Sequence, residues 1–383
     1  MSELQVAREH RVRPLELFFD LVFAFGFTQV ASLFGHDPTW GGLGRGLLVL
    51  AVLWWAWASY AWLTNTVDTD GGPVSAAMFI AIAAMFLAAL AVPEAFDGTG
   101  LVFGIAFFIV SLMHVSLFAL ASRGDPDLLA AILRNASRLA VGAALIVVAA
   151  FVPSGVRPVF WLAALAVGFF GPLLTGVHGW RVNPAHFAER HGLIIIIAIG
   201  ESFIAIGLGA RTGELTAGVI AAALLGVVVS ASFWLSYFDF FSIRAEQILA
   251  ERTGDLRTML ARDIYTYLHL PMVMGIVLFA LAMKTTLAHV GDSLDTISAV
   301  GLCGGSALYL FAFVALRVRV SRSVGGGRLT AAVGCALLLP VAVEVPALVA
   351  VALVAAVWVA LHAYEIIWWR EDRAQTRAMR AET

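Results

Sequence analysis

Apolar runs of about 17 to 25 residues recur from end to end of this chain, and they constrain its fold more than any other feature. A run of that length, coiled as an α-helix, crosses the roughly 30 Å hydrocarbon core of a membrane. Charged residues make up only 13% of the 383 positions and hydrophobic residues 61%, so little polar surface is left to face water. The sequence therefore predicts an all-α integral membrane protein with no separate soluble domain.

The pattern predicts about twelve transmembrane helices, separated by turn-forming or charged stretches. The runs are residues 16–34, 43–63, 74–93, 101–121, 136–152, 158–175, 189–208, 215–238, 264–287, 295–316, 329–343 and 346–369. The eleventh run is short, and Pro340, Glu344 and Pro346 interrupt or follow it, so a broken or re-entrant segment is an alternative there.

The distribution of basic residues predicts the orientation of these helices. If the N-terminus is cytoplasmic, twenty Lys and Arg side chains fall on the cytoplasmic side, and only Arg45, Arg157, Arg211 and Lys284 fall on the other. A miscounted helix would scramble this asymmetry further along the chain. We therefore expect a multi-pass membrane protein with both termini in the cytoplasm.

Two short matches predict an internal repeat. Residues 57–60 (WASY) resemble residues 234–237 (WLSY), and Glu16 and Thr28-Gln29 correspond in position to Glu189 and Glu201-Ser202. Because six helices is an even number, the halves would share one orientation, as two parallel six-helix repeats. The predicted division is residues 1–180 for the first repeat and 181–383 for the second.

The seventh run carries the strongest candidates for a functional site, since an ionisable side chain at membrane depth needs a partner or a water-filled cavity. Its polar residues are Glu189, Arg190, His191, Glu201 and Ser202. Glu201 lies roughly 18 Å beyond Glu189 at 1.5 Å per residue, near the expected bilayer midplane. Helical periodicity places Glu201 on the stripe of Arg190, and Ser202 on that of His191.

The first run offers a matching set. Glu16 and Asp20 are spaced i,i+4, so their carboxylates share one helix face. They either serve a substrate or ion path, or cap the helix and pair with Arg11 or Arg13. Thr28 and Gln29 are expected at the level of Glu201 and Ser202, which suggests one site between helices 1 and 7.

Other polar residues in apolar runs are secondary candidates: His114, Asp239, Asp263, Tyr265 and His269. Tyr265 and His269 are expected to share a helix face. Arg134 and Arg138 are interpreted as interfacial anchors. The sequence has no Walker loop, GxSxG elbow, HExxH or CxxC motif, and we predict neither a metal site nor a cofactor.

Two motifs resemble a known family. Residues 16–25 (ELFFDLVFAF), and Glu189-Arg190-His191-Gly192 followed by Gly200-Glu201-Ser202, resemble the bacterial low temperature requirement A (LtrA) family over nearly the whole chain. The resemblance implies a polytopic protein of the bacterial inner (plasma) membrane, tied by name to growth in the cold. The first motif is also similar to the first-helix signature of the FSD-motif potassium channels, with Phe19 where those channels have serine.

The leading hypothesis is ion or small-solute transport, with proton coupling through a buried carboxyl. An integral membrane enzyme acting on a lipid or isoprenoid head group is the alternative, and a membrane sensor or scaffold is a third; a non-enzymatic role is favoured. The expected partners are the lipid bilayer and an unidentified ion or small solute, without nucleic acid. The oligomeric state stays open, a homo-oligomer included.

Overall fold

The computed structural model describes residues 12–69, 72–122, 124–211 and 213–368. Its helices are α1 (Pro14–His36), α2 (Trp40–Thr66), α3 (Gly72–Leu90), α4 (Gly100–Ala121), α5 (Pro126–Ala149), α6 (Arg157–Thr175), α7 (Pro184–Ala210), α8 (Ala217–Ser236), α9 (Ser242–Ala250), α10 (Gly254–Ala261), α11 (His269–Ala288), α12 (Thr296–Ala299), α13 (Gly305–Ser321), α14 (Gly326–Leu337), α15 (Leu339–Ala342) and α16 (Ala347–Trp368). Three π-helical segments, Tyr237–Phe241, Arg262–Tyr267 and Val300–Gly304, join some of these helices.

Among the described residues, eleven helical segments are long and apolar enough to cross a membrane. They are Pro14–Phe34, Trp40–Thr66, Gly72–Leu90, Gly100–Ala121, Pro126–Ala149, Arg157–Thr175, Pro184–Ala210, Ala217–Ala250, Gly254–Ala288, Thr296–Ser321 and Ala347–Trp368. A shorter apolar helical stretch, Gly326–Ala342, accompanies them. The predicted all-α polytopic membrane architecture is confirmed.

The shorter stretch is the run that the sequence marked as weakest. It consists of α14 and the four-residue α15, with Leu338 between them. Pro340 lies in the first turn of α15, where its missing N–H is tolerated, but the same residue could not continue α14. The interruption expected from the sequence is therefore present.

Short polar side chains set where several helices begin. Thr39 accepts a hydrogen bond from the backbone N–H of Gly42 at 3.1 Å and so caps α2. Asp125 does the same for α5 through Leu128 at 3.2 Å. These caps satisfy N–H groups that have no partner within the helix, which is costly to leave unmet near a membrane.

The described chain forms two compact units. The first contains the described residues up to Arg190 together with Leu249–Arg262, and the second contains His191–Ile248 and the described residues from Asp263 onward. The boundary within α7 lies beyond the division predicted after residue 180. Two compact units do not test whether the halves are repeats, so the repeat stays a prediction.

In the first unit, α1 packs on α2 and α3, α4 packs on α3 and α5, and α6 packs on α5 and α2. In the second unit, α11 packs on α13 and α8, and α16 packs on α8 and α14. The α11–α13 contact is close enough to require glycine on both helices. A Cβ at Gly275 would lie 2.6 Å from the carbonyl oxygen of Gly305, and the reverse distance is also 2.6 Å.

The orientation in the membrane stays a prediction. Seven of the arginines on which the positive-inside argument rests lie outside the described residues, namely Arg8, Arg11, Arg123, Arg370, Arg373, Arg377 and Arg380.

Candidate functional site

Two acidic side chains in the opening turns of α1 are buried. Pro14 starts the helix, where its missing N–H costs nothing. The carboxylate of Glu16 accepts the backbone N–H of Arg13 at 3.4 Å, which caps the helix. Asp20 follows one turn later on the same face, and Glu16 and Asp20 are 1% and 0% exposed. Both therefore need partners within the protein.

Those partners are His186 and Arg190 of α7, which repeat the i,i+4 spacing. Nε2 of His186 lies 3.1 Å from a carboxylate oxygen of Glu16, and Nε of Arg190 lies 3.5 Å from the same oxygen. Nη2 of Arg190 lies 3.0 Å from Asp20. His186 and Arg190 are 1% and 0% exposed. We call these four residues of the first unit the acidic–basic cluster.

Asn65 of α2 fixes the tautomer of His186. Its Oδ1 accepts the backbone N–H of Asn183 at 2.8 Å and its Nδ2 donates to the carbonyl of Asn183 at 3.0 Å, so the amide has one orientation. The remaining Nδ2 hydrogen donates to Nδ1 of His186 at 3.3 Å. The ring proton therefore resides on Nε2, which faces Glu16, and a neutral imidazole satisfies both neighbours.

Trp57 of α2 contacts the other half of the cluster. Its Nε1 donates to Asp20 at 2.8 Å, and its ring lies 5.8 Å below the guanidinium of Arg190. A cation at that distance from an indole face is attracted to it. α2 therefore contacts both halves of the cluster, His186 through Asn65, and Asp20 and Arg190 through Trp57.

Sequence reasoning singled out Glu16, Asp20 and Arg190 but missed His186, Asn65 and Trp57. His186 could have been found, because it stands four residues before Arg190, as Glu16 stands before Asp20. Asn65 and Trp57 carry no such signal. Of the alternative role for these carboxylates, the helix cap at Glu16 is present. The Arg13 guanidinium forms an ion pair with Asp68, and Arg11 lies outside the described residues, so pairing with Arg11 or Arg13 stays a prediction.

The other residues predicted in helices 1 and 7 have different surroundings. Glu189 is exposed, and its carboxylate accepts the backbone N–H of Val12 at 3.1 Å. The hydroxyl of Thr28 donates to the Ala24 carbonyl at 3.2 Å in its own helix, and Gln29 is half-buried. In the second unit, Glu201 and Ser202 are 3% and 0% exposed. Whether these residues belong to one site stays a prediction.

The second unit contains its own buried polar group, made of His191, Tyr237, Tyr265 and His269, which we call the aromatic–imidazole cluster. The rings of Tyr265 and His269 stack with centroids 4.9 Å apart, as their i,i+4 spacing predicts. The His191 ring lies 4.8 Å from Tyr265 and 5.1 Å from His269. All four side chains are fully buried.

A π-helical segment sets the hydrogen bonding of His269. In Arg262–Tyr267 the N–H of Leu268 bonds to the carbonyl of Asp263 at 3.1 Å, one residue further back than in an α-helix. The carbonyl of Ile264 therefore accepts from Nδ1 of His269 at 2.9 Å. A neutral ring with its proton on Nδ1 accepts at Nε2, where the hydroxyl of Tyr237 donates at 2.8 Å. Both nitrogens of a neutral His269 are therefore satisfied.

The remaining candidates are dispersed. His114 is buried, with ring centroids 5.6 Å from those of Tyr60 and Phe118. Asp263 pairs with Arg319 at 2.8 Å. Asp239 lies half-buried in the π-helical segment Tyr237–Phe241. Among the residues that the structure describes, no three His, Cys, Asp or Glu side chains are grouped to hold a metal ion.

Comparison with known proteins assigns the chain to a family. It matches the bacterial low temperature requirement A protein (LtrA) family over residues 11–363. It is also 31% identical over 306 residues to the uncharacterized protein RA0937 of Rhizobium meliloti (strain 1021), an alignment covering 77% of this chain and 74% of that protein. No solved structure matches. The chain is therefore a multi-pass membrane protein that belongs to the bacterial low temperature requirement A family.

Proposed function

We propose that this protein moves an ion or a small solute across the membrane, coupled to protons, through a polar site between helices 1 and 7. The acidic–basic cluster is the observation that supports the proposal. Four ionisable side chains are buried together in a chain built for the membrane. Placing charged side chains within a membrane-spanning protein costs free energy, and such residues commonly line substrate paths or form proton relays.

The charge balance of the cluster supports proton coupling. With Glu16 and Asp20 ionised, Arg190 cationic and His186 neutral, one negative charge is left over. Burying a net charge costs several kcal/mol, and one proton or one monovalent cation removes that cost. The cluster is therefore suited to bind one proton or monovalent cation while it is shielded from water, and to release it when water enters.

Asp20 is the best candidate to carry that charge. Glu16 is held by His186 as well as by Arg190, whereas Asp20 has Arg190 and the neutral indole of Trp57. A proton on Asp20 would leave Glu16 and Arg190 as a balanced pair. Glu201, further along α7, is the second carboxyl in our proposal, because it is 3% exposed in the apolar part of the helix.

Flux in proteoliposomes tests the proposal, with a pH-sensitive dye inside and an imposed potassium gradient. Asp20→Asn mimics the neutral carboxyl, so the fold should persist while proton movement falls about tenfold or more. Glu201→Gln tests the second carboxyl in the same way. Glu214→Gln is the control, because it removes an exposed carboxylate from the segment that follows the same helix and should leave flux unchanged.

The outcomes are distinct. Wild-type flux that persists in both Asp20→Asn and Glu201→Gln would overturn the site. If folded wild-type protein moves neither protons nor potassium, the transport proposal loses its support. Turnover of a lipid or isoprenoid head group would then be assayed, and its absence would leave a sensor or scaffold.

A further inference from the structure

Arginine side chains gather around the C-terminal end of α6, in the first unit. Nη1 of Arg138 donates to the carbonyl of Gly171 at 3.1 Å, and Nη2 of Arg134 donates to the carbonyl of His178 at 3.0 Å. Arg262 donates to the next carbonyl, that of Pro172, at 3.1 Å. The C-terminal end of a helix is the negative end of its dipole, which favours cations there.

These contacts leave positive charge available. A carbonyl oxygen accepts a hydrogen bond from a guanidinium without neutralising it. Within the described part of the chain, neither Arg134 nor Arg138 has a carboxylate at ion-pair distance. Arg181, near the same end, differs in that it pairs with Asp125 at 2.6 Å. Arg134 and Arg138 therefore keep a positive charge with which an anion can pair.

Glycines of α6 let the Arg138 side chain lie close to the helix. A cavity adjoins it between α2, α4, α5 and α6, and its lining is apolar apart from Trp55, Ser111 and Arg138. A Cβ on Gly171 would lie 2.9 Å from Cδ of Arg138, and a Cβ on Gly168 would lie 3.1 Å from the indole nitrogen of Trp55. Without side chains at these glycines, α6 lies close to Arg138 and Trp55, and the Arg138 side chain fits beside the cavity.

Exposed apolar side chains lie beside the arginines on the same helix end. Phe170 is 60% exposed, Leu173 49% and Leu174 80%. In a chain that crosses the membrane, such side chains suit acyl chains. A soluble anion would pair with the arginines but would make no apolar contact with this surface.

We propose that the C-terminal end of α6 is a binding site for an anionic phospholipid. Arg134 and Arg138 hold the phosphate, with Arg262 beside them, and the acyl chains lie along Phe170, Leu173 and Leu174. Arginine suits this role because its planar fork donates two parallel hydrogen bonds to a phosphate. The site is independent of the proposed transport function.

Native mass spectrometry of the full-length chain in detergent, titrated with phosphatidylglycerol or phosphatidylcholine, tests the site. Wild type should retain phosphatidylglycerol in preference to phosphatidylcholine. Arg138→Gln should weaken that retention roughly 5- to 10-fold, and Arg138→Lys should restore part of it. Arg181→Gln removes the same charge from a side chain that is 65% exposed and already paired, so it should have little effect.

Two results would overturn the proposal: equal retention of both lipids, or equal losses in Arg138→Gln and Arg181→Gln. If Arg138→Gln fails to fold, Arg134→Gln replaces it, because Arg134 is exposed. Glycerol 3-phosphate is the competing probe. If it displaces phosphatidylglycerol at similar concentrations, the ligand is a soluble phosphate and the lipid assignment is wrong.

Discussion

The acidic–basic cluster of the first unit and the aromatic–imidazole cluster of the second are reached by consecutive residues of α7, Arg190 and His191, yet they bury different chemistry. The first combines two carboxylates with a guanidinium and an imidazole. The second consists of two phenols and two imidazoles, and His269 bonds there to one hydroxyl and one backbone carbonyl. The same burial therefore has different consequences when a member is lost.

In the acidic–basic cluster, each buried carboxylate is stabilised by the basic side chains beside it. Removing a buried cation leaves its carboxylates without a counter-charge, which costs more than the original pair contributed. In the aromatic–imidazole cluster, removing the Tyr237 donor leaves one unsatisfied acceptor. Two substitutions test this difference, and a third, at a partly exposed carboxylate outside both clusters, should have a smaller effect than either.

Arg190→Met should be the most damaging, with a loss of about 3–5 kcal/mol in unfolding free energy, because Glu16 and Asp20 then remain buried together. Thermal unfolding of the purified protein in detergent measures the loss. Protonation neutralises the carboxylates, so the loss should shrink as the pH falls. The triple variant that also carries Glu16→Gln and Asp20→Asn should recover most of the stability. No recovery would mean that charge is not the cause.

Tyr237→Phe should cost less, about 1–3 kcal/mol, because it removes only the hydroxyl that donates to Nε2 of His269. The phenyl ring keeps its packing against Phe241, so little else changes. The same thermal unfolding assay applies. A cost as large as that of Arg190→Met would remove the contrast between the acidic–basic and the aromatic–imidazole cluster.

Asp37→Asn should have the smallest effect, because this carboxylate lies in a partly exposed turn between α1 and α2. The hydrogen bond from Thr39 and the ion pair with Arg45 hold the pKa of Asp37 below its usual range. A lowered pKa contributes stability at neutral pH that is lost as the pH falls through the folded value. Wild type and variant should therefore differ slightly near pH 7 and converge in acid. A stability difference that grows in acid would contradict the lowered pKa of Asp37.

Local features made much of the architecture predictable. Eleven of the apolar runs correspond to helices that are long and apolar enough to cross a membrane. Such a helix forms all its backbone hydrogen bonds within one segment, so the local sequence is enough to identify it. Pro340 marked the interrupted segment, because proline lacks the backbone N–H that would continue the preceding helix. Glu16, Asp20 and Arg190 stood out because ionisable residues are rare in such runs.

The contacts of the candidate site were not predictable in this way. His186 and Glu16 are 170 residues apart, and Asn65 and His186 are 121 apart. Nothing in either local sequence indicates which distant helix supplies the partner. The tautomer of His269 likewise depends on the π-helical carbonyl of Ile264, which no sequence pattern marks.

The sequence by itself determined that this chain is a multi-pass helical membrane protein and which ionisable residues its helices carry, since hydropathy and helical periodicity act over one or two turns. Only the tertiary structure decided which of those residues neutralise one another, which tautomers His186 and His269 adopt, and where Arg134 and Arg138 place their charge. These properties depend on atoms within about 3 Å of each other, and such proximity is set by the packing of helices far apart in the chain.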